Sequence, residues 1–167
     1  MAITRRDFGR VAVLSAGSLV AVRAESTGET PSGEPRTEVL RGRIICLTED
    51  YKQRFQVRAD CGNRGHVWVL KSPEGKINAI LPTDSAAAII LDEKVRSRDL
   101  QITARVFPES SFAEVIQLQA VHDGTLYNLF YFCEVCNIRT HKPGPCDCCQ
   151  KPVEFREVLT SEDHDLR

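Results

Sequence analysis

Five of the chain's seven cysteines fall in one short stretch, YFCEVCNIRTHKPGPCDCCQKPVEF, residues 131–155. Cys133 and Cys136 form one C-x2-C, and Cys146 and Cys149 form a second, with nine residues between the two pairs. A C-x2-C pair folds readily into a tight turn that presents two thiolates on one side. Two such turns facing each other place four sulfurs at the corners of a tetrahedron, which suits Zn²⁺. Gly144, between Pro143 and Pro145, lets the chain reverse between the turns. The same cage around iron would serve electron transfer, and thiolates also hold Cu(I). Thioether ligation of copper is not on offer, because Met1 is the only methionine. Cys148 lies between the last two ligands. It is either a bystander or a third thiolate that assists metal exchange, and a vicinal disulfide with Cys149 would compete with metal. His141 sits in the loop between the turns, where it can replace a thiolate or simply face solvent.

The remaining thiols are less regularly placed. Cys46 lies in the strand-like RIICL and reads as a small buried apolar residue. Cys61 lies in the polar loop ADCGNRGHVW. Together with His66 these two can form part of a second metal site, and a Cys46–Cys61 disulfide is an equal alternative in an oxidising compartment. Trp68, beside His66, reads as core. Both C-x2-C pairs are flanked by strand patterns and prolines rather than opening a helix, which argues against thioredoxin-like dithiol catalysis. The chain contains no Gly-rich phosphate loop, no G-x-S-x-G and no H-E-x-x-H. No catalytic residue is assigned, and the balance is against an enzyme.

The elements that must position these groups are mostly strands. From Glu38 onward, VLRGRIICL (39–47), HVWVL (66–70) and INAIL (77–81) are apolar and β-branched, and the turn SPEG joins the last two as a hairpin. Thr83, Asp84 or Ser85 can cap a helix running to about Lys94, with Asp92 and Glu93 as solvated charge at its end. LQITARVF (100–107) and AEVIQLQAV (113–121) alternate as strands. Three strands, a helix, then two strands resembles the order of a small OB-like Greek-key barrel, in which the helix plugs one end. TLYNLFYF (125–132) and VEFREV (153–158) flank the cysteines and would complete a ribbon around them. The expected fold is therefore mainly β: an OB-like barrel with one helix over 38–124, then a four-cysteine zinc-ribbon-like module over 125–160. A disordered linker (25–37) precedes the barrel, and a disordered tail (161–167) that includes His164 follows the module.

The cysteine stretch also resembles the heavy-metal-binding domain family, a short module of metal-efflux proteins. Tyr131, Cys133, Pro143, Gly144, Cys146 and Cys149 stand at the positions of that family's pattern, over about 24 residues. The family's Met-His is Val135-Cys136 here, and its Cys-Gly-Met is Cys149-Gln150-Lys151. The resemblance therefore implies the ligand positions. The substitutions move the ligand set toward the all-thiolate ligation of zinc ribbons and rubredoxins.

The N-terminus speaks to location. MAITRRDFGRVAVLSAGSLVAVRA places Arg5, Arg6 and Arg10 before a twelve-residue apolar run, Val11 to Val22, and ends in Val22-Arg23-Ala24, an acceptable cleavage site. Thr4-Arg5-Arg6-Asp7-Phe8 resembles the twin-arginine export motif, whose cargo crosses the membrane folded. Residues 1–24 thus read as a twin-arginine signal and the protein as periplasmic or exported, with an uncleaved membrane anchor as the competing reading. The apolar run is well short of the roughly 20 residues a spanning helix needs. Without residues 1–24 the chain carries 18 basic and 22 acidic side chains, a net charge of -4. That balance argues against nucleic acid as a partner. The sequence as a whole reads as an exported metal-binding accessory or interaction protein, whose barrel face takes a protein partner or small ligand. A Zn/Cu carrier or sensor and a rubredoxin-like electron carrier are its rivals. Folding in the cytosol would let the thiolates load metal before they meet an oxidising compartment. Replacing Arg5 and Arg6 together by Lys should stop export, leaving uncleaved precursor in the cytoplasmic fraction when cells are fractionated and the chain is weighed intact.

Overall fold

The computed structural model describes residues 33–62, 65–108 and 110–163. The expected signal (1–24), linker residues 25–32 and tail residues 164–167, His164 among them, lie outside these. The described residues build a single eight-stranded sheet. Its strands are β1 (Arg36–Cys46), β2 (Trp68–Lys71), β3 (Ile77–Ile80), β4 (Asp99–Val106), β5 (Phe112–His122), β6 (Thr125–Cys133), β7 (Ile138–Thr140) and β8 (Glu154–Leu159). All the expected strands are present. β1 starts at Arg36, two residues before the apolar pattern begins, because Arg36 and Thr37 pair with Val106 and Arg105 of β4.

The first five strands pair in a ring. β1 is the pivot: its first part, Arg36 to Arg43, lies antiparallel to β4, and its last part, Arg43 to Cys46, lies antiparallel to β2. β2 continues to β3, β4 to β5, and β3 meets β5 in parallel through Ala79–Phe112 and Ile80–Ala113. Gly42 sits at the handover. A Cβ there would stand 2.2 Å from the carbonyl oxygen of Lys71, so only glycine lets β1 pass this close to β2. The register shifts between Thr103 and Ala104, where β5 carries Ile116 as an extra residue and bends against β4. The ring encloses Leu70, Leu100, Ile102, Ala104 and Val115, all 2% exposed or less.

The expected single helix after Thr83 is three short pieces: a 3-10 turn (Asp84–Ala86), α2 (Ala87–Leu91) and α3 (Glu93–Arg96). Ala86, Ala88, Ile89 and Val95 are buried against the ring. The break falls at Asp92, which has extended backbone and is half-buried, not solvated charge. One carboxylate oxygen caps α3 by accepting from the Lys94 N–H (2.8 Å); the other accepts from the Tyr131 hydroxyl (2.7 Å).

One helix was not expected. α1 (Leu47–Phe55) follows β1 directly and buries no residue, so no apolar period announces it. Charge placement supports it instead. Glu49 and Asp50 occupy the first turn, Lys52 and Arg54 the last, and Asp50 pairs with Arg54 at 3.0 Å. Asp50 also holds Lys71 of β2 at 3.0 Å, which ties the helix to the sheet.

β5 turns into β6 through Asp123 and Gly124, both at positive φ, the hairpin conformation that Asp-Gly favours. The first half of β6 pairs with β5, and its far half pairs with β7 on one side and β8 on the other. The cysteine segment is thus a continuation of the same sheet. The tail is tethered as far as Asp163, which binds the Arg139 guanidinium through both carboxylate oxygens (2.6 and 3.0 Å). Replacing Gly42 with Ala should cost about 1–3 kcal/mol, because the contact it meets is backbone and cannot rotate away. An unchanged urea-denaturation midpoint would show that β1 does not cross β2 so tightly.

Candidate metal centre

The two C-x2-C turns have one local construction. In the first, Cys133 ends β6 and pairs with Ile138 of β7. The Asn137 N–H returns to the Cys133 carbonyl (2.8 Å), and Asn137 takes a left-handed φ of 54°. In the second, the Gln150 N–H returns to the Cys146 carbonyl (2.9 Å), Gln150 has φ 61°, and the Cys146 N–H bonds to the Lys151 carbonyl (2.7 Å). A Pro145–Pro152 bridge closes the second turn as the β6–β7 pairing closes the first. In each turn the first thiol receives backbone N–H groups: Val135 and Cys136 for Cys133, Cys148 and Cys149 for Cys146. Gly144, at φ 122°, makes the reversal between the turns.

These turns converge. The Sγ atoms of Cys133, Cys136, Cys146 and Cys149 all lie within 4.8 Å of one another, with Cys133 and Cys149 at 3.5 Å. Sulfurs around a tetrahedral ion with bonds of about 2.3 Å stand about 3.8 Å apart, so the four can hold a metal ion with small adjustments. Cys133 and Cys146 are buried; Cys136 and Cys149 are half-buried. The thiols titrate unequally. The N–H groups of Cys149 and Cys148 bring Cys146 down to about 7. Cys136 is pushed up, first by Cys149 and then by Cys148. Cys133 is also raised: burial and its sulfur neighbours outweigh the lowering from the Cys136 N–H. One thiolate in the set therefore makes the next harder to form, and a cation relieves that cost.

The surroundings hold the frame. Leu129, Tyr131 and Cys133 alternate on the core face of β6. Phe130 and Phe132, on the other face, lie under the guanidinium groups of Arg139 (4.2 Å) and Arg156 (4.1 Å). Arg156 also pairs with Glu134 inside the first turn. Cys148 is exposed and outside the four-sulfur group, though close enough to Cys136 to affect it. His141 is exposed and is not among the converging groups.

A second convergence is present among the described residues. Cys46, Cys61 and His66 bring their ligand atoms within 4.8 Å of one another. Cys46 Sγ is 3.2 Å from Cys61 Sγ and 3.4 Å from His66 Nδ1, and both cysteines are free thiols. Cys46 is half-buried at the N-cap of α1, not sealed in the core. Burial pushes its thiol up, but His66, the backbone N–H of Glu49 and Cys61 outweigh this and bring it to about 7. Cys61 is pushed up, chiefly by Cys46. Glu49, which the sequence reading did not single out, stands 3.9 Å from Cys61 Sγ. Its place became visible only with α1. Among the described residues, no helix is long and apolar enough to cross a membrane.

No family model, curated protein or solved structure matches the chain, so the sites rest on their own geometry. That geometry singles out Gln150, because a non-glycine residue in the left-handed region costs about 1–2 kcal/mol. Gln150→Gly should raise the thermal midpoint, whereas Gln150→Val should lower it. Both are readable by calorimetry of the metal-loaded protein.

Proposed function

We propose that this protein is an exported metal-binding accessory protein whose Cys133, Cys136, Cys146 and Cys149 hold a structural Zn²⁺. The observation that carries the reading is the convergence of four sulfurs, two of them buried, from two turns of matching construction. A site with four protein thiolates leaves no position for substrate, which is the arrangement of structural rather than catalytic zinc. The β7 strand has only three residues, and the loop from His141 to Val153 carries little regular structure. A metal crosslink at the root of that loop supplies stability that so short an element cannot draw from apolar burial.

The ring of five strands supports the OB-like Greek-key reading. The strand order β1-β2-β3-β5-β4, the parallel β3–β5 contact and the buried helical segment between β3 and β4 all fit such a barrel. In this reading the barrel is the binding body, the zinc turns brace one edge of it, and the partner is a protein or small ligand rather than nucleic acid. The twin-arginine motif fits a site that must be loaded before export.

The test is metal analysis of the full chain purified without air, alongside titration of its free thiols. Zinc is expected, with the four thiolates becoming reactive only on chelation or unfolding. Cys146→Ser should release about one zinc per chain, and Cys148→Ser should release none. Iron in place of zinc would replace the structural reading with electron transfer. Oxidised Cys133–Cys149 thiols without metal would end it.

A further inference from the structure

The described residues hold a second set of metal-ligating groups at the C-terminal end of β1, and it differs from the four-cysteine set in kind. Cys46 ends β1, Cys61 and His66 lie in the connection to β2, and the antiparallel pairing of Cys46 with Trp68 brings the three together. The Leu47 N–H bonds to the Val67 carbonyl (2.9 Å) and fixes the two ends of this connection beside each other. The His66 ring is held in place. It stacks on Trp68 at 4.6 Å and 15°, and the Arg96 guanidinium lies 4.5 Å from the Trp68 ring. A ligand set needs this kind of restraint, since each ring or thiol already oriented loses less freedom when metal binds.

The set has three members. Among the described residues, no further Cys, His or carboxylate joins the group. Glu49 stands at its rim, 3.9 Å from Cys61 Sγ, and its other carboxylate oxygen is engaged by Lys52 at 3.5 Å. Three protein ligands with a fourth position free is the arrangement of zinc sites that bind an outside ligand, in contrast to the closed four-thiolate cage. Beside His66 lies a cleft of about 460 Å³, lined by Trp68, Ile80, Pro82, Ile90 and Phe112 as well as His66 itself. Its walls are apolar, and Phe112 is half exposed there. A site of this form suits a small molecule with an apolar body and one soft donor atom.

We propose that Cys46, Cys61 and His66 form a second, open Zn²⁺ site whose free coordination position takes the donor atom of a small apolar ligand seated in the adjoining cleft. The site stands apart from the four-cysteine centre and does not depend on it. Two thiols and an imidazole choose a borderline-soft ion, and the cleft supplies the selectivity that the open position lacks.

Co²⁺, which reports thiolate ligation by its absorption, is the probe, used with the full chain purified without air. The wild type should bind about two Co²⁺ per chain. Thiophenol should then shift the visible bands of one of them. The Cys46→Ser/Cys61→Ser double variant should keep the other ion, with no response to thiophenol. Cys146→Ser should lose that other ion and still respond, which separates failure of this site from failure of the four-cysteine centre. If Cys146→Ser does not fold, Cys136→Ser provides the same comparison; His66→Ala, in turn, is expected to keep the closed site and lose the thiophenol response. Cobalt bound only by the residues that Cys146→Ser disrupts would overturn the proposal. So would a Cys46–Cys61 disulfide in protein never exposed to air, or a Cys46-dependent cobalt whose spectrum ignores thiophenol.

Discussion

The crowding of four sulfur atoms governs the C-terminal end of this molecule. Four sulfurs within 4.8 Å of one another resist joint ionisation, because each thiolate raises the cost of forming the next. Backbone N–H groups of the two turns point at the first cysteine of each and offset part of the charge a thiolate there would carry. A bound cation would offset the rest. The residue identities follow from this: thiols rather than hydroxyls, turns that free their N–H groups, and left-handed residues at Asn137 and Gln150 that let each turn close.

β6 transmits that constraint to the rest of the fold. Its far end carries Cys133, its middle carries Tyr131, and its near end hairpins from β5. The Tyr131 hydroxyl reaches Asp92, which also caps α3. A chain of direct contacts thus runs from the sulfur cage through one strand to the helical segment packed on the five-strand ring. The two arginines over Phe130 and Phe132 cover the strand's other face and keep its aromatic rings from open solvent.

The sequence made some of this legible for identifiable reasons. β4 and β5 were readable because one face of each is buried and the side chains alternate. The four-cysteine set was readable because its ligands are local within each turn. α1 was not, because a helix that buries nothing leaves no apolar period; only its ordered charges hint at it. The break at Asp92 was missed for a related reason: capping and the Tyr131 bond are decided by a partner 39 residues away. Cys46, Cys61 and His66 were visible as residue types but not as a set. Their meeting depends on the register of β1 against β2, and thus on the same close crossing that Gly42 permits.

Trp68 is the only tryptophan in the chain, and its indole stacks on the imidazole of His66 with a guanidinium close to its ring. An indole excited state is quenched by a neighbouring imidazole according to that ring's charge and orientation. All indole emission from this protein therefore originates at one wall of the cleft. The fold carries its own optical reporter there, sensitive to whatever the adjacent ring holds.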